Sequence, residues 1–157
     1  MDTARAIDML RYLSTSPVVV SAAAGAKRAA MLANTLALVS PSPFRISLSL
    51  RWETYTFHVI SQARRFAVSF LDSVEAYAHL GSDSGWDKEK LPPAKCLTTS
   101  RLSLPAPKGV LAYLECELTT TFELDDRVLV VGTVEHGEVL RSGKPYVASI
   151  GLSGLLS

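Results

Sequence analysis

The sequence predicts a mainly β, single-domain barrel with a few short helices, and three observations carry that prediction. From Arg45 to Arg51 polar and apolar residues alternate strictly, the pattern of a strand with one buried face and one polar face. A second alternating stretch begins at Leu111, runs through Tyr113, Glu115, Glu117, Thr119 and Thr121 to Leu124, turns at Asp125-Asp126 and returns over Val128 to Leu140 as a long hairpin. Strand-like runs outnumber helical ones along the whole chain, and a barrel is the arrangement that pairs all the edges of such a set.

In order, the first sixteen residues predict an amphipathic helix, with Ala6, Ile7, Leu10 and Leu13 at helical spacing. Pro17 to Ala24 reads as a buried strand, Gly25 to Arg28 as a turn, and Ala29 to Ser40 as one returning strand rich in small side chains. Pro41-Ser-Pro43 excludes a helix and turns the chain into the alternating strand. Trp52 to Gln62 changes period, with Tyr55, Val59 and Ile60 on one helical face and Glu53 or Thr54 near the start. Arg64 to Leu71 is a further strand, Ser73 to Leu80 a short helix, and Gly81 to Pro93 a polar loop with too many breakers to be regular. Ser142 to Pro145 makes the last turn before a terminal strand or extended tail from Tyr146 to Leu152.

The 157 residues fit one domain, residues 1–157, with residues 1–15 as its amino-terminal helix. A hydrophobic share of 48% is ordinary for a globular chain, and a net charge of +1 gives no pull toward nucleic acid or anionic membrane, which leaves a small molecule as the simplest partner. Arg5, Arg11 and the run PVVVSAAAGA superficially resemble a signal peptide, but Val18 to Ala24 is short and broken by Ser21. No stretch is long enough to span a bilayer, so the expectation is a soluble cytoplasmic protein.

Few residues announce chemistry. Cys96 and Cys116 lack the spacing of a metal site or a redox pair, and both are expected to be reduced, Cys116 as a buried strand thiol. His58, His79 and His136 have no carboxylate or cysteine at ligand spacing, so no metal is expected. No Gly-x-Ser-x-Gly elbow and no glycine-rich phosphate loop occurs. Arg45, Ser47, Ser49 and Arg51 share the polar face of one strand. They face water or line a groove for a polar ligand, and spacing leaves both open.

Met31-Leu-Ala-Asn-Thr-Leu-Ala-Leu-Val-Ser40, followed by Pro41, Pro43 and the strand Ile46 to Leu50, resembles the flavin reductase-like family of FMN-binding split barrels. That family shows a Met-Thr-x-Asn-(Ser/Ala)-Phe-x-Ser-Val-Ser segment, a turn ending in Pro-Pro, an apolar strand and a Ser/Thr-x-Thr helix start, which Thr54 and Thr56 match. Phe66 to Leu71, Ser84 to Lys88, Leu114 to Leu118 and Val131 to Val134 continue the resemblance, which covers about Pro17 to Tyr146. Leu32 stands in place of Thr, Leu36 and Leu38 in place of Phe and Ser, Phe44 in place of the second Pro, and Glu89 in place of Phe. These departures remove hydroxyls that would contact a flavin and leave backbone contacts possible.

The resemblance implies a split β-barrel that binds FMN and accepts hydride from NADH or NADPH, with no side chain needed as a catalytic acid, base or nucleophile. It puts Met31, Leu32, Ala33 and Asn34 beside the isoalloxazine, Ser47, Leu48, Ser49 and Leu50 along the ribityl chain, and Arg51, Thr54 and Thr56 at the phosphate, with Lys88 reaching in from the loop. It also implies a homodimer, and a separate monooxygenase as recipient of reduced flavin. Each residue has a plainer reading: Asn34 bonded to nearby backbone, Thr56 at a helix start, Arg51 and Lys88 in water, and Trp52 as a core anchor. Other redox partners (a quinone, a deazaflavin, an iron chelate) and a non-catalytic flavin or haem binder stay open.

Overall fold

The computed structural model describes residues 1–81 and 91–149. Helix α1 (Thr3–Leu10) leads through β1 (Ser14–Thr15) into β2 (Val18–Ala24), β3 (Lys27–Ala33), β4 (Ala37–Pro41) and β5 (Phe44–Arg51). Helix α2 (Tyr55–Ala63), β6 (Arg65–Phe70), short 3-10 turns at Glu75–Leu80 and Pro93–Lys95, β7 (Cys96–Thr98) and β8 (Pro105–Pro107) follow. The long hairpin β9 (Ala112–Leu124) and β10 (Arg127–Val139) and a short β11 (Ala148–Ser149) complete the described chain.

Seven strands form one antiparallel sheet in the order β3-β2-β6-β9-β10-β5-β4, with β1 paired to β11 and β7 to β8 as separate ribbons. The sheet wraps around a core built from the inward faces of its strands: Val18, Val20, Met31, Ile46, Leu48, Leu50, Phe66, Val68, Val128 and Val130. Helix α2 adds Tyr55, Val59 and Ile60 to that core. A fully buried Val, Leu or Ile contributes about 1.5–3 kcal/mol relative to exposure, so this cluster dominates the stability. On the other side of β2 and β3, Val19, Ala30 and Leu32 meet Leu71, Leu80, Leu91 and Val110, so these two strands are buried on both faces. That is why Pro17 to Ala33 reads as nearly continuous apolar sequence.

The alternation of β5 is borne out: Ile46, Leu48 and Leu50 point into the core and Arg45, Ser47, Ser49 and Arg51 to the other face. The hairpin β9–β10 is borne out too, with bulges at Val131/Gly132 and Val134/His136 that alternation alone does not show. Both cysteines are free thiols; Cys116 is fully buried, which pushes its thiol far up, and Arg28 Nη2 donates to Cys96 Sγ at 2.8 Å.

Several expectations need correction. The expected strand Ala29 to Ser40 is two strands at opposite ends of the sheet, broken at Asn34-Thr35-Leu36, because β3 pairs with β2 and β4 with β5. Among the described residues the sheet edges therefore do not all pair: β3 and β4 are its end strands, though β3 comes up against β5 across the opening. The amino-terminal helix ends at Leu10, not near residue 15, and Asp2 caps it by accepting from Arg5 N at 2.8 Å. The helix expected over Ser73 to Leu80 is a tighter 3-10 turn beginning at Glu75. Trp52 is 56% exposed instead of buried, because the backbone turns at Trp52-Glu53 and Tyr55 takes the core position. Most of the expected loop Gly81 to Pro93, and the end of the terminal strand beyond Ser149, lie outside the described residues.

Gly132 sits at the first bulge, where an added Cβ would lie 2.5 Å from Cζ of the fully buried Phe66. Gly132→Ala is expected to lower the unfolding free energy by about 1–3 kcal/mol, measured by urea denaturation, since the ring has no free space to retreat into. An unchanged midpoint would mean that the bulge relaxes freely.

Candidate functional site

Strand β5 is the spine of the site because it touches both places that the sequence singles out. Near its carboxyl end, at Ser49, lies the crossover Asn34-Thr35-Leu36, which carries the chain from the β3 edge of the sheet to the β4 edge. Just beyond that end lies the start of helix α2.

The crossover is tied to β5 by one side chain. Thr35 Oγ1 accepts from Ser49 N at 2.9 Å and donates to Ser49 O at 3.0 Å. Strand β4 places Ala37 opposite Ser47, and two residues back in that register Thr35 falls opposite Ser49. The hydroxyl thus does there what a strand backbone would do. Ser49 is a stiff anchor, since Leu48 and Leu50 on either side of it are almost completely buried in the core.

The predicted residues around this crossover come together, but their side chains are largely committed. Met31 and Ala33 face the barrel core and Leu32 the second cluster, while Leu32 N donates to Gly81 O at 2.7 Å. Asn34 is buried, Ser47 is buried on the polar face of β5, and Ser49 is half-buried with its backbone held by Thr35. Beside the crossover opens a cavity of about 420 Å³ whose walls include Leu36, Ile46, Phe70, Leu114 and the hydroxyl residues Ser14 and Thr15. Among the described residues no charged side chain lines it, and this lining suits an uncharged planar ring better than an ion.

At the helix start the backbone is organised by Thr54. Its hydroxyl donates to Arg51 O at 2.9 Å and accepts from Phe57 N at 3.2 Å, which makes it the N-cap of α2. Sequence predicts Thr54 at the phosphate, and here its oxygen already serves the helix. Thr56 is fully buried within the first turn. Arg51 Nη2 pairs with Glu53 at 2.6 Å, while its Nε is buried with no hydrogen-bond partner among the described residues. An orphan donor on a cation at the head of a helix fits an anionic oxygen. A neighbouring cavity of about 390 Å³ is lined by Trp52, Phe57, Glu123 and Asp125, and its two carboxylates would repel a phosphate, which sets Arg51 itself as the better seat. Lys88 lies outside the described residues, as does the loop Ser84 to Lys88.

Among the described residues no group of His, Cys, Asp and Glu has the arrangement of a metal site. His136 lies opposite Glu115 on the β9–β10 pair, on the strand next to β5 but beyond the residues of β10 that pair with it. Glu115 itself is fully buried and accepts from Arg101 N and Leu102 N, the latter at 2.7 Å, so this carboxylate pins the turn before β8. No sequence pattern separates it from the solvated Glu117 two residues on.

The family model described as "Flavin reductase like domain" matches residues 9–149, a span that includes the crossover, β5 and the start of α2. The chain belongs to the flavin reductase-like family. It is 30% identical over 147 residues to the NADPH-flavin oxidoreductase of Streptomyces viridifaciens, covering 88% of this chain and 73% of that protein. Its fold is similar to that of BorF, the flavin reductase component of a bacterial two-component tryptophan halogenase, with a TM-score of 0.80, 22% identity and coverage of 96% and 95% of the two chains. It is equally similar to the Streptomyces globisporus NADH:FAD oxidoreductase SgcE6 in complex with NAD and FAD fragments, with a TM-score of 0.80, 20% identity and coverage of 96% and 92%. The mainly β split barrel of this flavin reductase-like chain is thus shared with solved flavin reductases.

If Thr54 is the cap, Thr54→Ala is expected to cost about 1 kcal/mol of stability, seen as a lower melting temperature. Thr54→Ser is expected to restore it, and an unaffected melting temperature in Thr54→Ala would remove the capping role.

Proposed function

We propose that the chain is an NAD(P)H-dependent flavin reductase that binds FMN along β5, with the isoalloxazine at the crossover and the phosphate at Arg51. The observation that carries the reading is the geometry of β5. Ser49 anchors the crossover, and Arg51, with its unpartnered buried Nε, follows on the same face. Two residues of strand span about 7 Å, which suits a ribityl chain between ring and phosphate. The family match over the same residues and the 30% relationship to an NADPH-flavin oxidoreductase support it independently.

The flavin, when bound, supplies the hydride chemistry, accepting from a nicotinamide. What the chain's own residues do is hold and orient. The backbone of Met31 to Asn34 and the crossover offer a close, flat approach, since the side chains of Met31, Leu32 and Ala33 turn away into the two cores. Ser47 and Ser49 carry their hydroxyls on the outer face while Leu48 and Leu50 hold the strand rigid. Arg51 neutralises charge, and Thr54 and Thr56 shape the helix start beside it. Lys88 is retained in the proposal as a second cation at the phosphate. The uncharged cavity at the crossover leaves room for a nicotinamide to stack on the ring, and holding two rings face to face is the main catalytic requirement.

The reading extends to a homodimer and to a separate oxygenase that consumes the reduced flavin. Leu38, Val39 and Phe44 stand exposed on the β4–β5 hairpin at the rim of that cavity, an apolar edge suited to a second copy. Among the similar structures, BorF is the flavin reductase component of a two-component tryptophan halogenase and another is the flavin reductase of a styrene monooxygenase, which supports the oxygenase.

The test is NADH and NADPH oxidation by the purified protein with and without FMN. Flavin-dependent oxidation of one donor is expected, and its absence in folded protein would overturn the reading. Arg51→Gln is expected to weaken FMN binding about tenfold while leaving riboflavin binding near that of the parent, because only FMN carries the phosphate. Equal losses for both flavins would remove Arg51 from the phosphate site.

A further inference from the structure

We infer that Thr35 is a positioning residue that pre-sets the crossover for the flavin ring, a role that rests on the reading above. The crossover joins two unpaired ends of a sheet, where backbone pairing is not available to fix it. Ala33 before it is buried in the barrel core, and Leu36 after it packs against the same core, so its two ends are held by apolar contact. Between them the Thr35 hydroxyl uses both its functions on a single residue, accepting from Ser49 N and donating to Ser49 O. A strand pair would need a backbone N–H and a backbone C=O to do the same. Because the side chain takes over this pairing, the Thr35 backbone is not drawn into the ladder, and the crossover can bend away from β5 while staying tied to it.

This arrangement predicts a particular dependence on chemistry. Serine keeps both hydrogen bonds, whereas valine keeps the shape and loses both. Thr35 is half-buried and touches β5, not the uncharged cavity, whose lining includes Leu36 but not Thr35. It acts through the backbone on either side of it.

The experiment is flavin titration and steady-state kinetics of Thr35→Val and Thr35→Ser beside the parent protein, with melting temperatures recorded for all three. Thr35→Val is expected to raise the FMN dissociation constant and the KM for FMN about tenfold, with kcat at saturating flavin near the parent value, because a loosened crossover must be ordered on binding. Thr35→Ser is expected to bind within about threefold of the parent. A Thr35→Val protein that melts lower but binds FMN as the parent does would show a purely structural residue and overturn the inference. Hydrogen exchange of the parent protein without flavin gives a test that needs no variant. The Ser49 amide is expected to be protected before any flavin is added, and free exchange there would overturn the pre-set clamp. Parent protein that binds no flavin would overturn the functional reading and the positioning role together. Equal binding by parent and Thr35→Val would overturn only the latter.

Discussion

The seven-stranded sheet is open between β3 and β4, and the Thr35 hydroxyl spans that opening by bonding both backbone groups of Ser49. The constraint matters because β3 and β4 are consecutive in the chain yet lie at opposite ends of the sheet. A closed barrel would satisfy both edges by pairing them and would leave no crossover exposed. Here the edge is left unpaired over a few residues and one side chain replaces the missing bonds. The opening that results is the part of the fold where backbone can face a ligand, while the core residues behind it stay buried.

Strand β5 leads from that opening to the seat proposed for the phosphate. Its inward residues Ile46, Leu48 and Leu50 are almost completely buried, so the backbone that carries the outward residues between them is fixed in position. The strand runs directly from the anchor at Ser49 to Arg51 and into the turn that Thr54 caps. A hydride-transferring site of this kind needs no acid, base or nucleophile. It needs a rigid line with an uncharged seat at one end and a cation at the other, and the buried half of β5 supplies the rigidity.

Much of this was legible in the sequence where periodicity is the signal. Alternation located β5, β9 and β10, and the change of period located α2 with its Tyr55, Val59 and Ile60 face. What was not legible depends on register. Ala29 to Ser40 reads as one strand because its residues are small or apolar throughout, and nothing local marks that Ala33 and Ala37 pair with different neighbours. Thr35 was hidden by a shift between Leu38 and Ser40: counting back from the Pro41/Phe44 turn without it puts Leu36, not Thr35, opposite Ser49. Trp52 was misassigned because hydrophobicity favours burial while the turn geometry gives the core place to Tyr55. In β8 two prolines stand in a strand, tolerated because that strand belongs to a two-stranded ribbon with free edges. Glu115 looks like any outward carboxylate of an alternating strand until the turn from Ser100 to Leu104 is folded over it.

The measurement that tests the account most directly is the absorbance spectrum of the purified protein under anaerobic conditions, first with FMN and then with NADH or NADPH added. The account predicts that the flavin's visible bands shift on binding and bleach when one of the two nucleotides is added. Flavin bands that neither shift nor bleach, in protein shown to be folded, would contradict it.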